Sequence, residues 1–246
     1  MRPLAAIFFF AAALSSLLPA RAAVETLEYD VTWVGVSVGS MSVRAESFPD
    51  GSLLRSIRIR NRPWIAKIYP VDHSIDCRVA PSPDGPFHLV SKRMGEKNFS
   101  QDDVLSLWPD AGRAVWSNAL SNAVHSFSVP VGSRDFVSFF FDLRDAAAAG
   151  PWTARGDYAL VMDGALHPLE ILVAPPETVR TPRGPKTAVP VRAVSRSPTL
   201  FARNKPRRVW VSANRPAVLL ADVDTRFGAV RASLAKWEID GKPVDW

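Results

Sequence analysis

The segment Leu27-Glu28-Tyr29-Asp30-Val31-Thr32-Trp33 decides the fold class of this chain. Its apolar and polar residues alternate strictly, which is typical of a β-strand that buries one face. Residues 41–45 repeat this period-two pattern, and Gly35 and Gly39 lie between the two runs. We therefore expect the fold to begin with a β-hairpin that has a glycine-rich connection.

The same alternation returns along most of the chain. It recurs at residues 57–62, 71–79, 104–116, 158–173, 189–194, 209–212, 218–223 and 230–239. The strongest hairpin signal is Asp163-Gly164, which joins two strand-like runs. We predict a mainly β protein with a single antiparallel sheet of about ten or more strands, strongly curved or forming an open barrel. Such a sheet can line a concave apolar groove.

One longer segment, residues 134–149, has a helical pattern. Ser133 is a suitable N-cap, Asp135 suits the first turn, and Gly150 suits the end. The phenylalanines of this segment lie at helical spacing, so we expect one face of the helix to pack on the sheet. Residues 63–68 form a shorter candidate of one or two turns.

The first 22 residues have the pattern of a secretory signal peptide. Arg2 is followed by an apolar run over residues 4–18, and Ala20-Arg21-Ala22 supplies small residues for cleavage before Ala23. The apolar run is too short for a good membrane span, and no cysteine follows it for a lipoprotein anchor. We predict a periplasmic protein, without a transmembrane anchor, in which residues 23–246 form a single β-rich domain.

Charge, cysteine and histidine content bear on the partners, disulfides and metal sites that the chain can have. Loss of Arg2 and Arg21 with the signal peptide lowers the formal net charge from +6 to +4. The positive charge that remains favours anionic partners such as lipid head groups. We expect no nucleic-acid partner for an exported protein. Cys77 is the single cysteine, so no intramolecular disulfide can form, and its place on the apolar side of a strand predicts a buried thiol. The four histidines lack metal-ligand spacing, so we predict no metal and no cofactor.

Two short motifs contain catalytic residue types. Gly35-Val36-Ser37-Val38-Gly39 has the spacing of a nucleophile elbow, but the residues after it alternate as in a strand, where an elbow needs a helix. Asp72-His73-Ser74 contains triad residue types, but neighbours along a strand point to opposite faces. We predict no catalytic residues. The alternative is a periplasmic hydrolase that uses Ser37 or His73.

Six residues form the predicted ligand site. Three arginines are expected to project from one face of a strand, and three apolar or aromatic residues follow in the short helical turn. The six are Arg58, Arg60, Arg62, Trp64, Ile68 and Tyr69. We expect the apolar members to contact the hydrophobic part of a ligand, and the guanidinium groups to bind anionic groups.

A second basic cluster lies late in the sequence. Its members are Arg203, Lys205, Arg207 and Arg208, and Trp210 follows closely. Guanidinium groups beside an indole suit phosphate or carboxylate recognition at a membrane surface. The alternative is an ordinary solvated face, or a charged edge strand that blocks aggregation.

The order of several runs resembles a bacterial family of exported proteins, domain-of-unknown-function family 3108. The likeness begins with the strand and glycines of residues 27–39 and continues at residues 68–72, 135–144, 209–212 and 227–234. The chain departs from the family pattern at Ala213-Asn214-Arg215, where an acidic residue is usual. The resemblance implies an exported, β-rich envelope protein, and it supplies no catalytic residues to transfer.

Together, these patterns predict a non-catalytic envelope protein. We expect it to bind a hydrophobic or amphipathic molecule, including an anionic lipid-like one, or a partner protein of the envelope. A scaffold that recruits proteins through its sheet edges is a further alternative. Any contact with the membrane is expected to be peripheral.

Overall fold

The alternating segments of the sequence form strands in the structure, a computed structural model that describes residues 23–148, 156–195, 197–200, 204–225 and 227–246. The predicted signal peptide, residues 1–22, and Gly150 lie outside the described residues. The prediction of a mainly β chain is confirmed.

The described residues contain seventeen strands and two helices. The first half of the chain contains β1 (Val24–Trp33), β2 (Val36–Ser47), β3 (Leu53–Asn61), α1 (Pro63–Ala66), β4 (Val71–Ser82), β5 (Gly85–Glu96), β6 (Phe99–Trp108), β7 (Arg113–Asn118), β8 (Ala123–Ser128), β9 (Arg134–Asp135) and α2 (Phe136–Ala148). The second half contains β10 (Gly156–Met162), β11 (Ala165–Val173), β12 (Glu177–Thr181), β13 (Gly184–Ser195), β14 (Asn204–Ser212), β15 (Val218–Thr225), β16 (Gly228–Ile239) and β17 (Lys242–Pro243).

All the strands belong to one sheet. Strands β1 to β8 form a meander in which each strand pairs with the next, and β16 pairs with the other edge of β1. From β16 the sheet continues through β15, β14, β13, β11 and β10 to β9. The short strands β12 and β17 pair with β13 and β16.

The prediction of a purely antiparallel sheet was wrong at one position. Strands β9 and β10 pair in parallel, so the sheet is mixed. The cause is helix α2 between them. A helical crossover brings the chain back to the end of the sheet where β9 begins, so β10 runs in the same direction as β9.

The turn between β1 and β2 is shorter than predicted. It consists of Val34 and Gly35, both with positive φ, while Gly39 lies inside β2. A Cβ atom at Gly39 would come within 2.7 Å of the Arg60 carbonyl oxygen on the neighbouring strand. Gly39 therefore permits a close approach of two backbones, and the apparent nucleophile elbow is a strand.

The sheet curves until its two halves meet, although it does not close into a barrel. Asp163, in the turn between β10 and β11, forms an ion pair with Lys92 on β5, and its Oδ1 accepts a hydrogen bond of 2.9 Å from Gln101 on β6. Gly164 in the same turn packs so closely that a Cβ atom there would lie 2.9 Å from the Trp116 ring. These contacts hold the β10–β11 hairpin against the first half of the sheet.

Helix α2 fills the concave side of this sheet. It contacts β3 and β4 in one half and β10 and β14 in the other. Val137, Phe139, Phe141 and Leu143 are buried along its length. The concave region between these strands is therefore packed with the protein's own side chains.

The N-cap of α2 differs from the predicted one. The Oδ1 atom of Asp135 accepts hydrogen bonds of 2.9 Å from the backbone N–H groups of Val137 and Ser138, which makes Asp135 the capping residue. Ser133 instead donates its hydroxyl to the Pro130 carbonyl oxygen. Neither helix in the described ranges has the length and hydropathy that a membrane-spanning helix requires.

Candidate functional site

Six exposed apolar side chains gather at one end of the sheet, and we call them the apolar rim. They come from the β1–β2 turn region, from α1 and its following turn, and from the β15–β16 turn. The members are Trp33, Val34, Val36, Trp64, Ile68 and Phe227, and between 40% and 82% of each residue is exposed. Isolated exposed apolar residues are common, whereas exposed apolar groups are typical of surfaces that contact a partner or a membrane.

Specific contacts bring the three turns of the apolar rim together. The Trp33 indole N–H donates a hydrogen bond of 3.0 Å to the Phe227 carbonyl oxygen. The rings of Tyr69 and Phe227 pack edge to face with centroids 4.9 Å apart. Asn61 fixes the segment that follows α1. Its side-chain amide donates a hydrogen bond to the Tyr69 carbonyl oxygen, and its side-chain oxygen accepts one from the Val71 N–H. Hydrogen bonds and aromatic packing therefore hold the turns of the apolar rim in place.

The structure divides the six predicted ligand-site residues between two places. Trp64 and Ile68 belong to the apolar rim, and Tyr69 lies beneath it against Phe227. A cavity of about 440 Å³ lies beside α1, and Arg60 and Asp72 are among its lining residues. The aromatic and basic members are therefore neighbours but do not line one common groove.

Each of the three predicted arginines has an aspartate partner. Both carboxylate oxygens of Asp76 accept bonds of 2.8 Å from Arg58. Arg60 donates to Asp72 at 3.1 Å, and Arg62 donates to Asp30 at 3.1 Å. This pairing reduces the net charge that these arginines offer to a ligand.

Ser37 and His73 do not act on each other. The Ser37 hydroxyl donates to Asp30 at 2.5 Å and accepts from Arg62 Nε at 3.2 Å, so it belongs to the ion-paired surface. His73 is buried, and its Nε2 atom lies 3.4 Å from a Glu96 oxygen, which is too long for a strong hydrogen bond. Burial lowers the pKa of His73, so its imidazole is neutral at neutral pH.

A buried polar cluster at the start of α2 was missed by sequence reasoning. His88 on β5 lies with its Nδ1 atom 2.7 Å from Asp135 Oδ2 and 3.2 Å from Ser138 Oγ. The Cys77 thiol lies 3.9 Å from the same hydroxyl and is fully buried, which confirms the predicted buried thiol. We call these four residues the capping cluster.

The capping cluster contains serine, histidine and aspartate but not the geometry of a hydrolytic triad. In a triad the serine approaches one ring nitrogen and the carboxylate the other. Here Asp135 and Ser138 both approach Nδ1 of His88, and the oxygen of Asp135 that faces away caps the helix. All three residues are buried, so the hydroxyl has no wet cleft in which to meet a substrate.

The electrostatics of the capping cluster favour a structural role. Complete burial alone would raise the pKa of Asp135, but the hydrogen bond and charge of His88, with the Ser138 N–H, hold that pKa below its usual value. Burial raises the pKa of the Cys77 thiol strongly. Cys77, His88 and Asp135 lie close enough to share a metal ion, yet the carboxylate is already bonded to imidazole and backbone.

The second basic cluster of the sequence lines a cavity of about 640 Å³ on strands β13 to β16, which we call the basic pocket. Five cationic residues line it, from three different strands. They are Arg192, Lys205, Arg207, Arg208 and Arg231, with Asp222 and Asp224 as the acidic members of the lining. Arg203, also predicted in this cluster, lies outside the described residues. Sequence alternation located β14 but could not reveal that Arg192 and Arg231 join it.

Comparisons with known proteins bear separately on the family and on the fold. The model of the family described as "Protein of unknown function (DUF3108)" matches residues 28–235. Among solved structures, a β-barrel-like protein of domain-of-unknown-function family DUF1849 from Brucella abortus is similar, with a TM-score of 0.56 and 11% identity over 89% of this chain and 98% of that one.

Neither of these descriptions names an enzymatic activity. No curated protein matches the sequence. At 11% identity the structural likeness concerns the fold alone. The family match covers most of the sequence, and the chain therefore belongs to the DUF3108 family of proteins of unknown function.

Proposed function

We propose that this protein is an exported, non-catalytic envelope protein that docks on an anionic lipid surface through its apolar rim. The observation that carries the proposal is the meeting of Trp33, Trp64, Ile68 and Phe227 at one end of the sheet, exposed on three separate turns. Two of the predicted ligand residues, Trp64 and Ile68, belong to it.

The chemistry of the apolar rim suits a membrane interface. Tryptophan and other aromatic side chains favour the boundary between head groups and acyl chains, because they are apolar with a polar edge. Side chains on turns can enter that boundary without exposing strand edges to it. Burying each large side chain there contributes about 1.5–3 kcal/mol, so two or three such residues suffice for reversible attachment.

Charge at the same end complements an anionic surface. Lys67 lies between Trp64 and Ile68 in sequence, is exposed, and makes no ion pair with any described residue. Arg60 lies near the end of β3 and Arg62 directly follows that strand; the Arg60–Asp72 pair is largely exposed to solvent and the Arg62–Asp30 pair is partly exposed. Exposed pairs are weak, so these guanidinium groups can exchange an aspartate for a phosphate with little loss.

The interior supports a surface mode of binding. Because α2 packs the concave side of the sheet, a ligand held inside the fold would have to displace buried side chains such as Phe141. Displacement of that packing would cost several kcal/mol, on the order of a core truncation. An amphipathic partner is therefore expected at the rim.

Vesicle sedimentation tests this function. The double variant Trp64→Ser and Ile68→Ser is expected to bind phosphatidylglycerol-containing vesicles about tenfold or more weakly than the parent protein, because two inserted side chains are lost. The matched control, Val131→Ser with Ile239→Ser, removes two exposed apolar residues at the opposite end and is expected to bind normally.

Three outcomes decide the proposal. Binding that requires the anionic lipid, weakens in high salt and is lost in the rim variant supports it. Absence of binding by the parent protein overturns it. An equal loss in the rim variant and the control overturns it as well, since the loss would not depend on the rim.

A further inference from the structure

We infer that the basic pocket is a binding site for a phosphate group carried by a small organic phosphate or by a lipid head group. This site is separate from the apolar rim and stands on a different set of residues. Its volume of about 640 Å³ lies within the usual range for small-molecule sites.

Sheet register places the cationic residues in the pocket side by side. Arg208 pairs across the sheet with Asp222, and Asp222 pairs with Arg231 on the next strand. Arg192 follows Val191, which is the last residue of β13 to pair with β14, at Val209. Arg192, Arg208 and Arg231 therefore lie in one row across the sheet, and their guanidinium groups are on the same face.

The indole of Trp210 forms the floor of this arrangement. It is buried, and its N–H donates a hydrogen bond of 2.5 Å to Glu177. The guanidinium carbons of Arg208 and Arg231 lie 5.4 and 5.6 Å from its ring centroid. Contact with a rigid aromatic surface limits the freedom of both side chains, so less entropy is lost when they bind an anion.

The charges of the pocket are only partly compensated. Asp222 accepts bonds of 2.7 and 2.8 Å from Arg231 and is thereby occupied. The Arg207–Asp224 and Arg208–Glu177 pairs are loose, at 3.6 and 3.8 Å. Arg192 and Lys205 form no ion pair within the described part of the chain.

This balance favours phosphate over a carboxylate. The lining has five cationic and two acidic residues, an excess that one carboxylate would not neutralise. A phosphate group carries up to two charges and offers several acceptor oxygens to guanidinium forks that approach from different strands. Apolar walls from Leu200, Val194 and Pro206 leave room for the organic part of the ligand.

Isothermal titration of the mature chain with glycerol 3-phosphate, and vesicle binding in parallel, test this inference. The pocket variant Arg192→Gln with Lys205→Gln removes the two unpaired cations without breaking a described ion pair. It is expected to lower affinity about tenfold, as two lost charge contacts of roughly 0.7 kcal/mol each would give. The matched control Arg78→Gln with Lys242→Gln makes the same change in net charge on two exposed residues outside the pocket, which form no ion pair within the described part of the chain.

The two probes distinguish the source of the phosphate. Binding of glycerol 3-phosphate that the pocket variant loses and the control keeps supports a site for organic phosphates. Binding of phosphatidylglycerol vesicles alone, with the same dependence on the pocket variant, supports a lipid head group. Absence of binding to both probes overturns the inference, and so does an equal loss in the control.

The rim variant separates this inference from the proposed function. Trp64→Ser with Ile68→Ser is expected to leave glycerol 3-phosphate binding unchanged, because neither residue lines the basic pocket. Loss of soluble phosphate binding in the rim variant would contradict the independence of the two sites. Failure of vesicle docking with intact phosphate binding would overturn the rim proposal alone.

Discussion

At the scale of the residue, Asp135 carries two functions with its two oxygens. One oxygen caps α2 through two backbone N–H groups, and the other bonds the His88 ring. Cys77 and Ser138 complete the surroundings, and all four side chains are buried. The residue types resemble a catalytic set, but their geometry serves to fix where the helix begins.

Asp135→Asn is expected to destabilise the fold at neutral pH. Asparagine can still cap the helix, but it loses the charged bond to His88, which is worth about 2 kcal/mol. Because the pKa of Asp135 is held low in the folded state, its contribution is present above the unfolded value of about 3.9 and is lost as pH falls through the folded pKa.

Urea unfolding at a series of pH values measures this effect. The free energies of unfolding of the parent and Asp135→Asn proteins should differ at neutral pH and converge in acid. A difference that persists unchanged at the lowest pH would contradict the role of the charge. Ser133→Ala serves as the control, since Ser133 is buried nearby but does not cap α2.

At the scale of the element, α2 holds the curved sheet from within. Arg144 near its end donates to Glu25 on β1 at 2.6 Å, and Glu25 also accepts from the Trp237 indole at 2.9 Å. The guanidinium carbons of Arg55 and Arg144 lie 4.5 and 4.6 Å from the ring centroid of Phe141. The helix therefore joins β1, β3 and β16 through one aromatic ring and one ion pair.

Phe141→Ala is expected to lower the free energy of unfolding by about 3–5 kcal/mol, because it leaves a cavity at the centre of the packed interior. Chemical denaturation measures the loss, with the exposed Val131→Ala as the control, which should change stability by less than about 0.5 kcal/mol. A loss of under about 1 kcal/mol in Phe141→Ala would mean that α2 is not part of the cooperative core.

At the scale of the whole molecule, both proposed binding surfaces lie on the outside of a fold whose interior is packed with its own side chains. The basic pocket extends toward the end of the sheet that carries the apolar rim. Two of its residues, Lys205 and Asp224, pair across β14 and β15 close to the β15–β16 turn, which contains Phe227. An anionic surface that contacts the rim would therefore meet the pocket's charge at short range. This arrangement is the reason to test both sites with the same vesicles.

Export is a prediction at this scale too. Expressed in full in a Gram-negative host, the protein is expected in the periplasmic fraction with Ala23 as its first residue, because small residues precede the cleavage site. Mass spectrometry of the purified protein measures the cleavage point. Ala22→Arg should prevent cleavage there, and an uncleaved parent protein in the cytoplasm would contradict the prediction.

The sequence by itself determined the mainly β class, the family, the Asp163-Gly164 hairpin and the place of the helix, because these depend on local periodicity and turn chemistry. Tertiary structure decided what long-range packing controls. It placed α2 inside the sheet, gave each of Arg58, Arg60 and Arg62 an aspartate, and joined Arg192 and Arg231 to β14. These contacts link residues far apart in the chain, and no local pattern records which strands become neighbours.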